Sequence, residues 1–317
     1  MGKFKLASYW GAACGGCDTA ILDVHEAILD IAAAADIVFW PIALDFKYQD
    51  VEAMFDGDID VTLFHGAVRN SENEHVARLL RAKSKVMVAF GSCAHIGGIP
   101  GLANLFNREE IFRRVYHDTP STVNNGTVPQ TRTAVAEGVL TLPEFYNTVR
   151  TLDQVVAVDY YVPGCPPTPK QILKVVQAIA SGDLPARGAV LGASEKTQCD
   201  ECPRTKHEKR ITGFRRIATE QPDPDTCFLE QGFLCLGMVT RGGCDTRCQL
   251  SGVACRGCYG PPAGVLDQGT KAIAAIASVI EAKDEAEVGR ILAQLPDPLR
   301  SLNRFGIPAS LLRRRNL

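Results

Sequence analysis

The sequence lacks most of what would send a chain to a membrane, an export route or a polyanion. Its longest apolar runs, such as Val86 to Phe90, fall far short of the roughly 20 residues of a membrane-spanning helix, which excludes a bilayer span. The first ten residues, Met1 to Trp10, contain two lysines but no apolar stretch of signal length, no paired arginines and no small-residue cleavage site. A cytoplasmic location is therefore expected. Charge of neither sign is in excess: 34 Lys and Arg face 36 Asp and Glu, so no global field draws nucleic acid or an anionic membrane. Phosphate-binding signatures are missing too. Gly97-Gly98-Ile99-Pro100-Gly101 follows a predicted strand but has neither Walker nor dinucleotide spacing, and no internal repeat is visible.

What is abundant is cysteine. The chain holds 12, and in a reducing compartment so many thiols, several in vicinal pairs, are better explained by metal than by disulfides. With 28 glycines and 18 prolines, a sizeable part of the chain is expected to be irregular.

From residue 1 to about 190 short apolar runs alternate with helical patterns, the signature of a parallel α/β sheet. Strands are predicted at Phe4–Trp10, Ile37–Leu44, Asp60–His65, Val86–Phe90 and Val155–Val162, and helices at Thr19–Ala34, Glu72–Lys83, Arg108–Tyr116 and Pro169–Ser181. A stretch rich in Pro, Asn, Gly and Thr from Thr119 to Thr133 reads as an elaborated loop before Leu142–Val149. Residues 191–317 form a second domain by this reading. Eight cysteines fall between residues 190 and 264, few apolar runs accompany them, and metal is expected to replace a missing core there. An Ala/Ile-rich helix from Ala263 to Ala282, a helix over Glu285–Leu295 and a basic tail, Arg313-Arg314-Arg315, complete the chain.

The first four cysteines share a position. Cys14 and Cys17 follow the first predicted strand, Cys93 the fourth and Cys165 the fifth. In an open parallel sheet the carboxyl ends of the strands converge on the crevice where ligands bind, so these four thiols are expected to meet. Cys14/Cys17, Cys199/Cys202 and Cys255/Cys258 are C-x2-C pairs, and Cys244/Cys248 is C-x3-C. Zinc and iron–sulfur clusters both accept four thiolates, so spacing alone leaves both open. Clusters are favoured because the first site joins one pair to two isolated cysteines far along the chain. Glycine also precedes the thiol in Gly91-Ser92-Cys93 and Pro163-Gly164-Cys165, letting backbone N–H groups approach a cluster's sulfides. The count divides into three sets of four, which suits an electron wire.

Other residues carry weaker signals. His65, His95 and His117 could be ligands or proton carriers, although a lone histidine more often satisfies a local hydrogen bond. Asp18 beside Cys17 reads equally well as a hydrogen-bonding or proton-relaying group and as a carboxylate placed for the helix dipole. The run from Arg204 to Arg210 reads as a solvated loop or as a dock for an acidic redox partner.

Cys14-Gly-Gly-Cys17, Gly91-Ser-Cys93-Ala with Gly97-Gly98 behind it, and Pro163-Gly-Cys165-Pro-Pro resemble the N-terminal half of the small subunit of nickel–iron hydrogenases. The later cysteines match the three-cluster members, so the resemblance covers nearly the whole chain. The stretch from Glu137 to Tyr146, continuing through Val149 to Asp153, is similar to the cytoplasmic methyl-viologen-reducing group that does not reduce the deazaflavin coenzyme. The resemblance implies a flavodoxin-like N-terminal domain with Cys14, Cys17, Cys93 and Cys165 holding a proximal 4Fe-4S cluster. It implies a distal 4Fe-4S cluster on Cys199, Cys202, Cys227 and Cys235, and a medial one on Cys244, Cys248, Cys255 and Cys258. Many respiratory members place a histidine where Cys199 stands; thiolate in place of neutral imidazole adds negative charge and lowers the potential. The nickel–iron centre is implied in a large-subunit partner, because the cysteine pairs here lack the arginine and aspartate-proline flanks of its nickel motifs. A small iron–sulfur adaptor and a heterodisulfide reductase are the implied acceptors.

Two rival readings follow from the same cysteines. A quinone-reductase subunit of this fold usually carries an adjacent cysteine pair and one cluster, whereas Cys14 and Cys17 are separated and eight further cysteines follow. A zinc-stabilised module binding nucleic acid would need a basic surface that the charge balance does not supply.

Overall fold

The computed structural model describes residues 3–208 and 210–312; Met1, Gly2, Lys209 and residues 313–317, which include the basic tail Arg313-Arg314-Arg315, lie outside the described residues. Nine strands form among them, β1 (Phe4–Trp10), β2 (Ala35–Phe39), β3 (Ile59–His65), β4 (Val68–Asn70), β5 (Ser84–Phe90), β6 (Arg132–Val135), β7 (Gly138–Thr141), β8 (Phe145–Arg150) and β9 (Tyr160–Val162). Five of them make an all-parallel sheet in the order β2-β1-β3-β5-β9, which is the flavodoxin-like order. Its register sets the site. Trp10 pairs with His65, His65 with Phe90 and Phe90 with Val162, so four strands end in one row and release their following loops side by side.

The helices are α1 (Gly16–Leu22), α2 (Ile28–Ala34), α3 (Tyr48–Glu52), α4 (Ser71–Lys83), α5 (Gly91–Ile96), α6 (Arg108–Tyr116), α7 (Pro169–Ser181), α8 (Gln198–Glu201), α9 (Arg247–Leu250), α10 (Gln268–Ala277), α11 (Glu285–Ala293) and α12 (Pro298–Leu302). Local chemistry explains the longer ones. Asn70 accepts the Asn73 N–H at 2.7 Å to cap α4, with Glu72 and Glu74 in the first turn and Arg81 and Lys83 in the last, matching the helix dipole. Thr168 caps α7, Pro169 opens it and Gly182 at φ 71° ends it.

Alternation along the strands splits the core in two. Leu6, Val61, Leu63, Val88 and Phe90 pack with Ala20, Ile21, Ile172 and Val175 from α1 and α7. On the other face Ala7, Phe64, Met87 and Ala89 pack with Val76, Ala77 and Leu80 from α4. The later segment has a core of its own, contrary to expectation: Ile211, Phe228, Phe233, Leu236 and Val239 pack on Ala272 and Ile276 of α10. These apolar residues are spaced singly between turns, so no run announces them.

Several elements differ from their sequence reading. The helix expected over Thr19–Ala34 is broken by a 3-10 turn at His25–Ala27, with His25 at φ 56°. The second strand starts earlier and stops at Phe39, two residues before Pro41, which lacks the N–H to continue it. The last parallel strand keeps just Tyr160–Val162. The helices after Ala263 shrink to Gln268–Ala277 and Glu285–Ala293. The stretch Leu142–Val149 contains most of β8, paired antiparallel with β4, and the loop before it leads into an exposed hairpin, β6–β7. No helix of the described residues is long and apolar enough to cross a membrane.

Candidate metal centres

The chain leaves β1 through Gly11, whose N–H donates to His65 O at 2.8 Å, and Ala12 pairs with Ala67 in both directions. This ties the loop bearing Cys14 to the end of β3. Gly15 at φ 81° then starts α1, which carries Cys17. Cys93 lies in α5, directly beyond β5, and Cys165 in the loop beyond β9; these two loops are joined by Ser92 N–H donating to Gly164 O at 2.7 Å. A Cβ on Gly91 would lie 2.6 Å from Cys17 Sγ, so the thiol of the first loop packs directly on the backbone of the third. Cys14 and Cys165 are exposed and Cys93 is buried.

The structure thus brings together the four cysteines that the strand ends predicted. Burial pushes the Cys17 thiol up, and the neighbouring Cys93, Cys165 and Cys14 push it further. Cys93 is pushed up to about 12, again by burial first and then by Cys165 and Cys14. The chemical meaning is direct. Neighbouring thiolates repel one another in a medium of low dielectric, so this group ionises together when cationic metal supplies the balancing charge.

A second group forms in the later segment. Cys199 lies on α8, Cys202 caps its end, and a Cβ on Gly237 would lie 3.1 Å from Cys199 Sγ and 3.7 Å from Cys235 Sγ. Cys235 is pushed up to about 12 by burial, with Cys199 and Cys227 adding to it and the Gly237 N–H opposing it. In the third group Cys258 is pushed up to about 12 by burial and then by Cys165, Cys248 and Cys244. Burial raises Cys255 strongly, with Cys235 and then Cys258 as its charged neighbours.

Two of these pairings cross between groups. Cys258 of the third group feels Cys165 of the first, and Cys255 of the third feels Cys235 of the second. Ser92 Oγ also donates to Cys258 O across the first junction. The three sets therefore stand in a row with the Cys244–Cys258 set in the middle. Among the described residues, no three His, Cys, Asp or Glu side chains converge as the donors of a single metal ion would.

The weaker candidates resolve differently. Asp18 and His65 meet, with His65 Nε2 2.9 Å from Asp18 Oδ1, and Trp40 Nε1–H donates to the same oxygen at 2.7 Å. Asp18 thereby ties the first turn of α1 to the ends of two strands. His95 is half-buried, its ring centroid 4.8 Å from that of Tyr161, and burial followed by Arg241 lowers it to about 4. His117 is exposed at the end of α6. Arg204 is not part of an exposed basic face. It is 7% exposed, stacks 3.8 Å over the Phe228 ring and donates to Asp223 O and Thr226 O. Sequence reasoning missed Gln198, whose side chain touches Cys244; its position beside Cys199 was the available signal.

Comparison with known proteins matches residues 14–179 to the family described as NADH ubiquinone oxidoreductase, 20 Kd subunit. The iron-sulfur subunit of the F420-non-reducing hydrogenase of Archaeoglobus profundus is 41% identical over 98% of both chains. A subunit of the F420-non-reducing hydrogenase of Methanocaldococcus jannaschii is 38% identical over 95% of this chain and 94% of that one. The chain belongs to the family of these hydrogenase small subunits. In fold it is similar to the [NiFeSe] hydrogenase of Desulfovibrio vulgaris Hildenborough, with a TM-score of 0.51 and 18% identity over 83% of this chain and 95% of that one. A hydrogenase small subunit transfers electrons and works in complex with a large subunit, so the thiol-lined edge of the sheet is read as part of a shared enzyme.

Proposed function

We propose that this chain carries electrons from hydrogen oxidation in the large subunit through three 4Fe-4S clusters to a low-potential acceptor. Cys14, Cys17, Cys93 and Cys165 would hold the proximal cluster, Cys244, Cys248, Cys255 and Cys258 the medial, and Cys199, Cys202, Cys227 and Cys235 the distal. When bound, such clusters supply reversible one-electron redox chemistry. The carrying observation is the row of thiols, in which Cys165 neighbours Cys258 and Cys255 neighbours Cys235. The protein's part is to hold those sets close together and to supply them with backbone N–H donors. The Gly237 and Gly257 N–H groups, for example, oppose the rise at Cys235 and Cys255.

The division into residues 1–190 around the proximal set and 191–317 around the other two belongs to the same reading. So do a cytoplasmic location, a small iron–sulfur adaptor and a heterodisulfide reductase as acceptor. The exposed Cys14 and Cys165 make the sheet edge the side that faces the large subunit. The quinone-reductase alternative draws support from the name of the matched family, but Cys14 and Cys17 are not adjacent and eight further cysteines need a role. A zinc module binding nucleic acid would need a basic surface that the charge balance does not supply.

Iron and acid-labile sulfide analysis of the anaerobically purified complex tests the proposal. About twelve of each per copy of this chain are expected from three four-iron clusters; zinc without labile sulfide would overturn it.

A further inference from the structure

Gln198 opens α8 and is fully buried. It joins two of the cysteine sets. Its neighbour in sequence is Cys199, and its side-chain Oε1 accepts the S–H of Cys244 at 3.1 Å. The residue is well anchored: its backbone N–H donates to Thr240 O at 2.7 Å, and Thr240 Oγ1 is held by Gln268 Nε2 at 3.1 Å. Yet Gln198 Nε2 is shut away from solvent with no hydrogen-bond partner. A buried amide donor left unmade is costly, and such groups are rare in folded proteins.

We infer that Gln198 is a positioning and tuning residue of the medial site, turning its amide so that Nε2–H donates to Cys244 Sγ when the site is loaded. The inference rests on the reading of Cys244 as a cluster ligand. A ligating cysteine is a thiolate and has no S–H to give, so Oε1 facing it would set one lone pair against another. The two ends of a carboxamide are nearly equal in shape, and half a turn about the last side-chain bond exchanges them. The exchange gives the orphaned N–H an acceptor. It leaves a carbonyl oxygen in the vacated place, and an under-satisfied buried C=O is less rare than an orphaned N–H.

The consequence is electrostatic. An N–H donated to a ligand sulfur stabilises negative charge on the centre, more in the reduced than in the oxidised state, and so raises its potential. Four thiolates load the medial site with negative charge, and the Gln198 donor offsets part of its effect on the potential.

The test is an EPR-monitored redox titration of the holoenzyme carrying Gln198→Met, which keeps the length of the side chain and removes the donor. One of the three midpoint potentials is expected to shift to a more negative value while the other two stay. Potentials that all stay in place, with about twelve irons still bound per chain, overturn the inference alone. A wild-type iron content near eight per chain, roughly two clusters' worth, overturns the medial-site reading and the inference with it. Wild-type enzyme labelled with nitrogen-15 in the glutamine side-chain amide gives an answer even if the variant fails to fold. A nitrogen hyperfine coupling at the reduced medial cluster is expected, and its absence overturns the donation.

Discussion

Gly98 sits at φ 60°, and a Cβ there would lie 2.4 Å from Cys93 Sγ and 2.8 Å from Cys93 Cα. Both the backbone conformation and the space demand glycine, and the thiol pressed against it is one of the proposed proximal ligands. Gly98→Ala must move the Cys93 loop or strain it, at a cost of roughly 2–3 kcal/mol. The expected outcome is a lower urea midpoint together with partial loss of the iron associated with the first site. Gly289 provides the contrast. It lies within α11 and a Cβ there would meet nothing within 4 Å, so Gly289→Ala should stabilise the protein by about 0.5–1 kcal/mol through backbone entropy. Urea denaturation of the two variants side by side checks both signs, and a destabilised Gly289→Ala would show that α11 is not the helix described.

At the scale of elements, the end of the chain returns to brace the first half. The 3-10 turn Ile307–Ala309 seats Pro308 against the Ile99–Leu105 turn, where a Cβ on Gly101 would lie 2.4 Å from the Pro308 ring. Gln154 Nε2–H donates to Pro308 O at 2.8 Å, and Gly98 N–H to Phe305 O at 2.8 Å. Gly101→Ala alone should cost about 2 kcal/mol by overpacking. In a Pro308→Ala background the clashing ring atoms are gone, so most of that cost should vanish, a coupling that a double-mutant cycle in urea measures directly. Additive effects would mean that the two turns do not touch. None of this bracing was legible in the sequence, because a contact between a glycine and a proline at the far end of the chain leaves no local pattern. What was legible had a period or a cap: α6 and α7 match their reading, Arg108–Tyr116 and Pro169–Ser181, end for end, since each begins with a capping side chain. The thiols Cys14, Cys17, Cys93 and Cys165 were legible for a topological reason, as residues beyond parallel strand ends share an edge. The link through Gln198 was not: its place beside Cys199 set it near a site, but the sequence does not distinguish a buried glutamine from an exposed one.

For the whole molecule, the proposed relay makes the middle set of thiols the point of failure. The first and second sets are connected through the third, by Cys165 with Cys258 and by Cys255 with Cys235. On the proposed reading an electron arriving at the exposed edge of the sheet has to cross the Cys244–Cys258 set to leave by the Cys199–Cys235 set. Cys244→Ser replaces a soft thiolate by a hydroxyl that is a much weaker ligand for iron. Hydrogen-dependent reduction of the protein acceptor should then fall at least about tenfold, equivalent to roughly 1.4 kcal/mol on the barrier. Reduction of a small dye that collects electrons at the sheet edge should persist, because the large subunit and the first set are untouched. Measuring both activities on one preparation separates a broken relay from a broken enzyme: equal loss of the two would place the damage upstream. Full retention of the protein-acceptor activity would mean that charge bypasses the middle set.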